Sequence, residues 1–208
     1  MRSGRSVVAL KPIETGVSSG PLDAIAMARA CGRPELAHAS GLFRAALPVA
    51  PYAVCLETGI SVPEPGPLAA RVRELAKGAD VLLVEGAGGL LVPLTATASI
   101  ADLARALSLP LLLVAQDQLG VLSSVLTCAE SAERHQLALA AIVLVDRGGS
   151  DADPSPRTNR RILQERLPVP VLAFPCCRDD DEVLADAAEQ SGLLALLHPT
   201  EPSKNTQG

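Results

Sequence analysis

The chain alternates short apolar runs with longer segments of mixed polarity. The apolar runs are bounded by turn residues and have the length of strands buried on both faces of a sheet; they cover residues 6–10, 81–84, 111–115, 141–145 and 171–174. Helix-length segments separate them, at residues 21–31, 67–77, 100–107, 119–134 and 156–166. Because parallel strands need crossover connections, this alternation predicts an α/β fold with one parallel sheet covered by helices on both faces.

The composition supports a single folded domain. The chain has 208 residues, and 48% of them are hydrophobic, which is enough to bury a sizeable core. We expect that domain to cover residues 1–198. Residues 199–208 are polar and include Pro and Gly, so we expect a loose tail there.

Charge and cysteine usage exclude several classes of protein. The net charge is −5 and the basic residues are scattered, so the sequence lacks the positive stripe that a nucleic-acid backbone requires. Apolar runs are too short for a signal peptide or a membrane span. The cysteine count is five, an odd number, without CxxC spacing, which favours a reduced, cytoplasmic setting.

The first chemical motif is Lys11, which follows a predicted buried strand and begins the segment Lys-Pro-Ile-Glu-Thr-Gly. Ligands of parallel α/β sheets bind at the carboxyl ends of the strands, so this ammonium is expected in the ligand crevice. The alternative is a strand-end lysine whose ammonium simply reaches water.

The second motif is Glu85, which follows the strand at 81–84 and precedes Gly-Ala-Gly-Gly. A carboxylate at that point can hold Mg²⁺, and glycines let backbone N–H groups approach a phosphate or a small substrate. The alternative is a glycine-rich turn with an exposed Glu.

Asp23, at the start of the first predicted helix, has either a metal role or a helix-dipole role, and its position alone does not decide between them.

Together and in order, these motifs resemble dethiobiotin synthetase, an ATP-dependent family of the P-loop superfamily. The resemblance runs from residue 4 to residue 197 and includes Ala50-Pro51, Ile100-Ala101-Asp102-Leu103, Leu119-Gly120 and Val145-Asp146. It implies a ligase of biotin synthesis that closes a ring from 7,8-diaminononanoate and CO₂ with ATP and Mg²⁺. It also implies a homodimer in the cytoplasm.

The resemblance implies a role for each matching residue. Lys11 would be catalytic, holding the carbamate and neutralising charge on the moving phosphoryl group. The substrate would be bound by Thr15 and, across the dimer interface, by Leu119, Gly120 and Val121. Asp23 and Glu85 would hold Mg²⁺. The nucleotide-binding residues would be Asp23, Glu85, Gly86, Ala87, Gly88, Asp146 and Pro175.

The sequence departs from the family in three places. It contains no Gly-x-x-x-x-Gly-Lys-[Ser/Thr] phosphate loop, so we expect either a chain shortened at its N-terminus, without the family's first strand, or a degenerate relative that no longer hydrolyses ATP. Val145 replaces an asparagine that reads adenine in the family. Ser123-Ser124 replaces a frequent Asn-His.

Two alternatives to a dethiobiotin synthetase follow. One is a non-catalytic paralogue that acts as a binding or dimer partner, which the missing phosphate loop favours and the retained motif residues disfavour. The other is a synthetase of the cobyrinic acid amidotransferase type, but 208 residues leave no room for its glutaminase domain.

Overall fold

The computed structural model describes residues 4–148, 153–178 and 180–197, so the predicted tail at 199–208 lies outside the described residues. The strands in chain order are β1 (Val7–Leu10), β2 (Ile13–Thr15), β3 (Phe43–Ala45), β4 (Val81–Val84), β5 (Leu111–Gln116), β6 (Leu139–Val145) and β7 (Val171–Phe174). The α-helices are α1 (Leu22–Ala30), α2 (Pro51–Thr58), α3 (Pro65–Leu75), α4 (Ile100–Leu107), α5 (Val121–Arg134), α6 (Pro156–Arg166) and α7 (Asp181–Gln190).

All strand ladders of these elements are parallel. β1 pairs with β4, β2 pairs with β3, and β5, β6 and β7 form a sheet in that order. Helices connect the parallel strands, as the crossover requirement demands. The predicted α/β class, typical of P-loop proteins, is therefore confirmed.

The described chain divides into two compact units. The first contains the residues up to Pro110 together with Cys128–Ala138. Its core packs β1 against helices α3 and α4, through apolar side chains such as Leu10, Leu68 and Leu103. In the β1–β4 ladder the register places Leu10 opposite Val84. Lys11 and Glu85, which follow these two residues, therefore leave the sheet at the same end.

The second unit contains Leu111–Thr127 and the residues from Leu139 onward. Its core joins β6 and β7 to helices α5 and α6, through Val125, Ile142, Leu163 and Val171. β6 and β7 end together, because Val145 lies opposite Phe174 in their ladder. The residues that follow these two strands therefore share one end of the sheet.

The observed bounds agree closely with the sequence pattern. β4, β7, α4 and α6 have both predicted ends. α5 was expected from residue 119 but begins at Val121, because Gly120 has a φ of +95°, which is incompatible with a helix. Within the described parts of the chain, every helix is too short or too polar to cross a membrane.

Candidate functional site

Three predicted residues of the first unit meet at the carboxyl end of β1 and β4. The Glu85 amide donates to the Leu10 carbonyl at 2.9 Å, which extends the ladder by one residue and fixes where Glu85 begins. The Lys11 ammonium Nζ lies 2.6 Å from Glu85 Oε1 and 3.1 Å from Asp23 Oδ2. Lys11 is therefore held between two carboxylates that come from separate parts of the chain.

The three charges differ in their exposure to solvent. The Lys11 side chain is 8% exposed, whereas the Asp23 and Glu85 side chains are 55% and 54% exposed. Burial lowers the pKa of Lys11, but the hydrogen bonds and charges of Glu85 and Asp23 outweigh it, so the net pKa is above the ordinary value of 10.5. The two carboxylates therefore favour the charged form of Lys11.

The glycine-rich loop begins directly after Glu85. Gly88 has a φ of +74°, and a Cβ at that position would lie 2.9 Å from Val92 Cγ2. Both facts exclude a larger residue from this turn. Gly86 is also crowded, because a Cβ there would lie 3.2 Å from Ile100 Cγ2. Ala87, between them, packs against the core of the first unit.

Thr15 is the last residue of β2 and is half-buried. Its neighbour Gly16 has a φ of +79° and turns the chain away from the strand. The strand ends here because the Gly16 amide donates to the Leu47 carbonyl at 3.0 Å rather than continuing the β2–β3 ladder. Thr15 therefore lies at the end of a strand that the sequence pattern did not predict.

Glu14 belongs to this site but was missing from the sequence prediction. Its side chain is buried, and its carboxylate accepts hydrogen bonds from the amides of Asp23, at 2.9 Å, and Ala24, at 3.2 Å. Arg44 lies opposite Glu14 in the β2–β3 ladder, with its Nε 3.9 Å from Glu14 Oε2. The available signal was a carboxylate inside Lys-Pro-Ile-Glu-Thr-Gly ahead of a helix that begins after Pro21.

The second unit contains the remaining predicted residues. Leu119 is 80% exposed, and Leu119, Gly120 and Val121 form the turn into α5. The Leu119 amide already donates to Asp153 Oδ2 at 2.8 Å, and the Val121 amide donates to the Gln118 carbonyl at 3.1 Å. These two donors of the expected carboxylate-binding turn therefore have partners within the chain.

Asp146 and Pro175 follow β6 and β7 and come close together. The Asp146 amide donates to the Phe174 carbonyl at 2.9 Å, and its Oδ1 accepts from the Gly148 amide at 2.7 Å. The backbone bond carries the β6–β7 ladder one residue past Val145. Asp146 is thus fixed at the carboxyl edge of the sheet of the second unit, beside the chain that leads to Pro175.

Asp23 and Glu85 supply oxygen donors of the kind that Mg²⁺ binds, although both now contact the Lys11 ammonium. Mg²⁺ prefers hard oxygen ligands and usually takes one or two protein carboxylates, with water and phosphate oxygens completing its coordination. Both carboxylates converge on one Lys11 nitrogen and keep about half of their surface exposed. Among the described residues no group of three or more His, Cys, Asp and Glu side chains forms a metal site, so a cage built from protein ligands alone is not found there.

The fold and this cluster define a class of protein. Parallel α/β strands with a lysine, carboxylates and a glycine-rich loop at their carboxyl ends are typical of α/β enzymes, which bind their ligands at that edge. A family model described as an AAA domain matches residues 1–174.

Comparison with characterised proteins gives the particular family. The chain is 41% identical over 154 residues to the ATP-dependent dethiobiotin synthetase BioD of Anaeromyxobacter dehalogenans strain 2CP-C, covering 74% of this chain and 68% of that protein. It is 36% identical over 203 residues to the Mycobacterium avium synthetase of the same name, covering 94% and 87%. The Aquifex aeolicus synthetase is 34% identical over 178 residues, covering 85% and 78%. The chain belongs to the dethiobiotin synthetase family, a family of ATP-dependent ligases.

Proposed function

We propose that the chain closes the ureido ring of dethiobiotin from 7,8-diaminononanoate, CO₂ and ATP. One amine of the substrate adds to CO₂ and loses a proton, giving a carbamate. A carbamate oxygen then takes the γ-phosphoryl group, and ADP leaves. The second amine attacks the carbonyl carbon, and phosphate leaves as the ring closes. The observation that carries this proposal is the buried Lys11 ammonium between two carboxylates at a strand end.

Lys11 supplies a positive charge where negative charge develops. Its raised pKa keeps it protonated throughout the neutral range. A buried cation is pre-oriented, so it stabilises the charge on carbamate and phosphoryl oxygens without reorganisation during the reaction. Phosphoryl transfer depends mainly on positioning and on this kind of electrostatic stabilisation.

Asp23 and Glu85 would hold Mg²⁺, which when bound neutralises charge on the phosphates of ATP. Their half-exposed oxygens face the Lys11 ammonium and are open to solvent, so they can exchange a lysine contact for a metal contact. Gly86, Ala87 and Gly88 would bring backbone N–H groups close to the nucleotide. Thr15 would orient the substrate through its hydroxyl.

The other residues of the proposal belong to the second unit and are proposed for that unit by itself. We propose that Asp146 and Pro175 face the nucleotide base and that Leu119, Gly120 and Val121 bind the substrate carboxylate of a partner subunit in a homodimer. A helix N-terminus suits an anion because its backbone N–H groups point outward. All five cysteines are free, which agrees with the cytoplasmic setting that we propose.

The test is formation of dethiobiotin by the purified chain, followed by mass spectrometry with diaminononanoate, bicarbonate, Mg²⁺ and a concentration series of ATP. We expect product and ADP in equal amounts, both dependent on the diamine. Phosphate release without the diamine, or no product at any ATP concentration, would contradict the proposed reaction.

A second candidate function is a non-catalytic binding or dimer partner. The 208 residues contain no Gly-x-x-x-x-Gly-Lys-[Ser/Thr] motif, so ATP binding by these residues is the property that distinguishes the two functions. Such a loop supplies the backbone amides and the lysine that cradle phosphates. Calorimetry separates the two functions: ATP heat that requires Mg²⁺ supports the ligase, whereas absent ATP heat together with a stable dimer in sedimentation supports the binding partner.

A further inference from the structure

The first turn of α1 lacks a capping side chain of its own. Its N-cap residue is Pro21, which has no side-chain acceptor, and no local side chain caps the helix. The first amides of a helix need partners from elsewhere. Glu14, on β2, accepts from two of them, the amides of Asp23 and Ala24.

The burial of Glu14 shows that this contact is built into the fold. The residue is 6% exposed, and a buried carboxylate is costly unless it is hydrogen-bonded and paired. The positive end of the α1 dipole and the neighbouring Arg44 guanidinium both supply positive charge. Arg44 is part-buried, and its Nε has no hydrogen-bond partner. That nitrogen lies 3.9 Å from Glu14 Oε2, so the two groups form an ion pair without a hydrogen bond.

Asp23 is both an anchored residue and a site residue. Its amide is bound by Glu14 at 2.9 Å, while its carboxylate lies 3.1 Å from Lys11 Nζ. The Asp23 side chain has only one methylene group, so the position of its backbone largely determines where its carboxylate lies. The position of the Asp23 carboxylate therefore depends on where the first turn of α1 is held.

We propose that Glu14 is a positioning residue that holds the first turn of α1 and thereby keeps the Asp23 carboxylate against Lys11. Glu14 itself contacts no substrate in this proposal. The effect on turnover rests on the proposed ligase function, whereas the effect on the Lys11–Asp23 contact does not. Two independent measurements therefore follow.

The first measurement needs no turnover. The coupling between Lys11→Gln and Asp23→Asn is measured as a double-mutant cycle in unfolding experiments, once with Glu14 and once with Glu14→Ala. We expect the coupling to be present with Glu14 and lost with Glu14→Ala. Amide exchange at Asp23 and Ala24 should become faster in Glu14→Ala as well. An unchanged coupling would overturn the proposal.

The second measurement is steady-state kinetics. Glu14→Ala should lower kcat by about 10- to 100-fold with little change in KM for the diamine, because displacement of a reacting group by about 1 Å has effects of this size. Glu14→Gln keeps one of the two acceptor oxygens and places an NH₂ donor against the other backbone N–H, so it should restore only part of the kcat. A wild-type chain without turnover would refute the ligase function, and the coupling measurement would still decide the role of Glu14.

Asp180 provides a matched control. It also accepts from two amides of a first helical turn, those of Glu182 at 3.0 Å and Val183 at 3.1 Å, but it does so as the local N-cap residue of α7. Asp180→Ala should speed amide exchange at its own helix and leave kcat and the Lys11–Asp23 coupling unchanged. If Asp180→Ala lowered kcat as much as Glu14→Ala, the effect would be one of general stability and the positioning role would be wrong.

Discussion

Replacement of Lys11 by Gln separates a catalytic charge from a structural one. The change removes the ammonium that lies 2.6 Å from Glu85 and 3.1 Å from Asp23 and leaves a neutral side chain of similar width. If the charge acts on developing phosphate charge, the loss should fall on kcat. If the charge only neutralises the two carboxylates, the loss should fall on stability.

The magnitudes distinguish these outcomes. Ion pairs between exposed side chains contribute about 0.2–1 kcal/mol each, whereas breaking a fully buried pair costs about 3–5 kcal/mol. Here the lysine is buried but both carboxylates are half-exposed. We therefore expect a stability loss of about 1–2 kcal/mol, or a Tm decrease of about 2–8 °C in a chain of this size. Loss of an electrostatic contact to the transition state should lower kcat by about 10²–10³-fold.

The assay combines thermal unfolding with single-turnover kinetics at one temperature well below both Tm values. Lys77→Gln is the matched control, because it makes the same change at an exposed lysine of the same unit and should alter neither quantity. A Lys11→Gln variant that kept half of the wild-type rate would refute the catalytic role. If Lys77→Gln lowered Tm and the single-turnover rate as much as Lys11→Gln does, the burial of Lys11 would not explain the effects.

Three further expectations follow from the site. Asp23→Asn and Glu85→Gln should each raise the Mg²⁺ concentration needed for half-maximal turnover, and an unchanged Mg²⁺ titration in both would exclude them as metal ligands. Asp153→Ala should lower KM for the diamine, because it frees the Leu119 amide and removes a negative charge from the expected carboxylate site; a higher KM would argue against binding there. The stabilising effect of Lys11 is the difference in unfolding free energy between wild type and Lys11→Gln. It should be fully present below pH 10.5, the ordinary pKa of lysine, and should decline as pH rises through the higher pKa of the folded state. A decline between pH 7 and 9 would contradict a raised pKa.

The elements with clear boundary signals could be predicted because those signals are local. The helix Ile100–Leu107 follows Ser99, whose amide donates to Asp102 Oδ2 at 2.8 Å, a contact that the spacing of Ser and Asp already indicates. β4 and β7 are apolar runs between turn residues, and both ends agree with the structure.

The elements that were missed fall into two groups. β2 and β3 have three residues each, too few for a periodic pattern, and they exist because they pair with each other across about 30 residues of chain. α2 and α7 had usable signals. α2 has Pro51 in its first turn and Gly59 at its C-cap with a φ of +73°, and α7 has the Asp180 cap before two acidic residues.

The candidate site shows the same division between local and long-range information. Lys11 and Glu85 were predicted because each follows a recognisable strand, and the parallel register of β1 and β4 brings them together. Glu14 was missed because its partners are backbone amides, and a side-chain motif does not show which amides a carboxylate will meet. A motif shows which groups take part in the chemistry, whereas their distances depend on buried contacts such as the one between Glu14 and α1. Variation at Glu14 should therefore alter turnover even where Lys11, Asp23 and Glu85 are all retained.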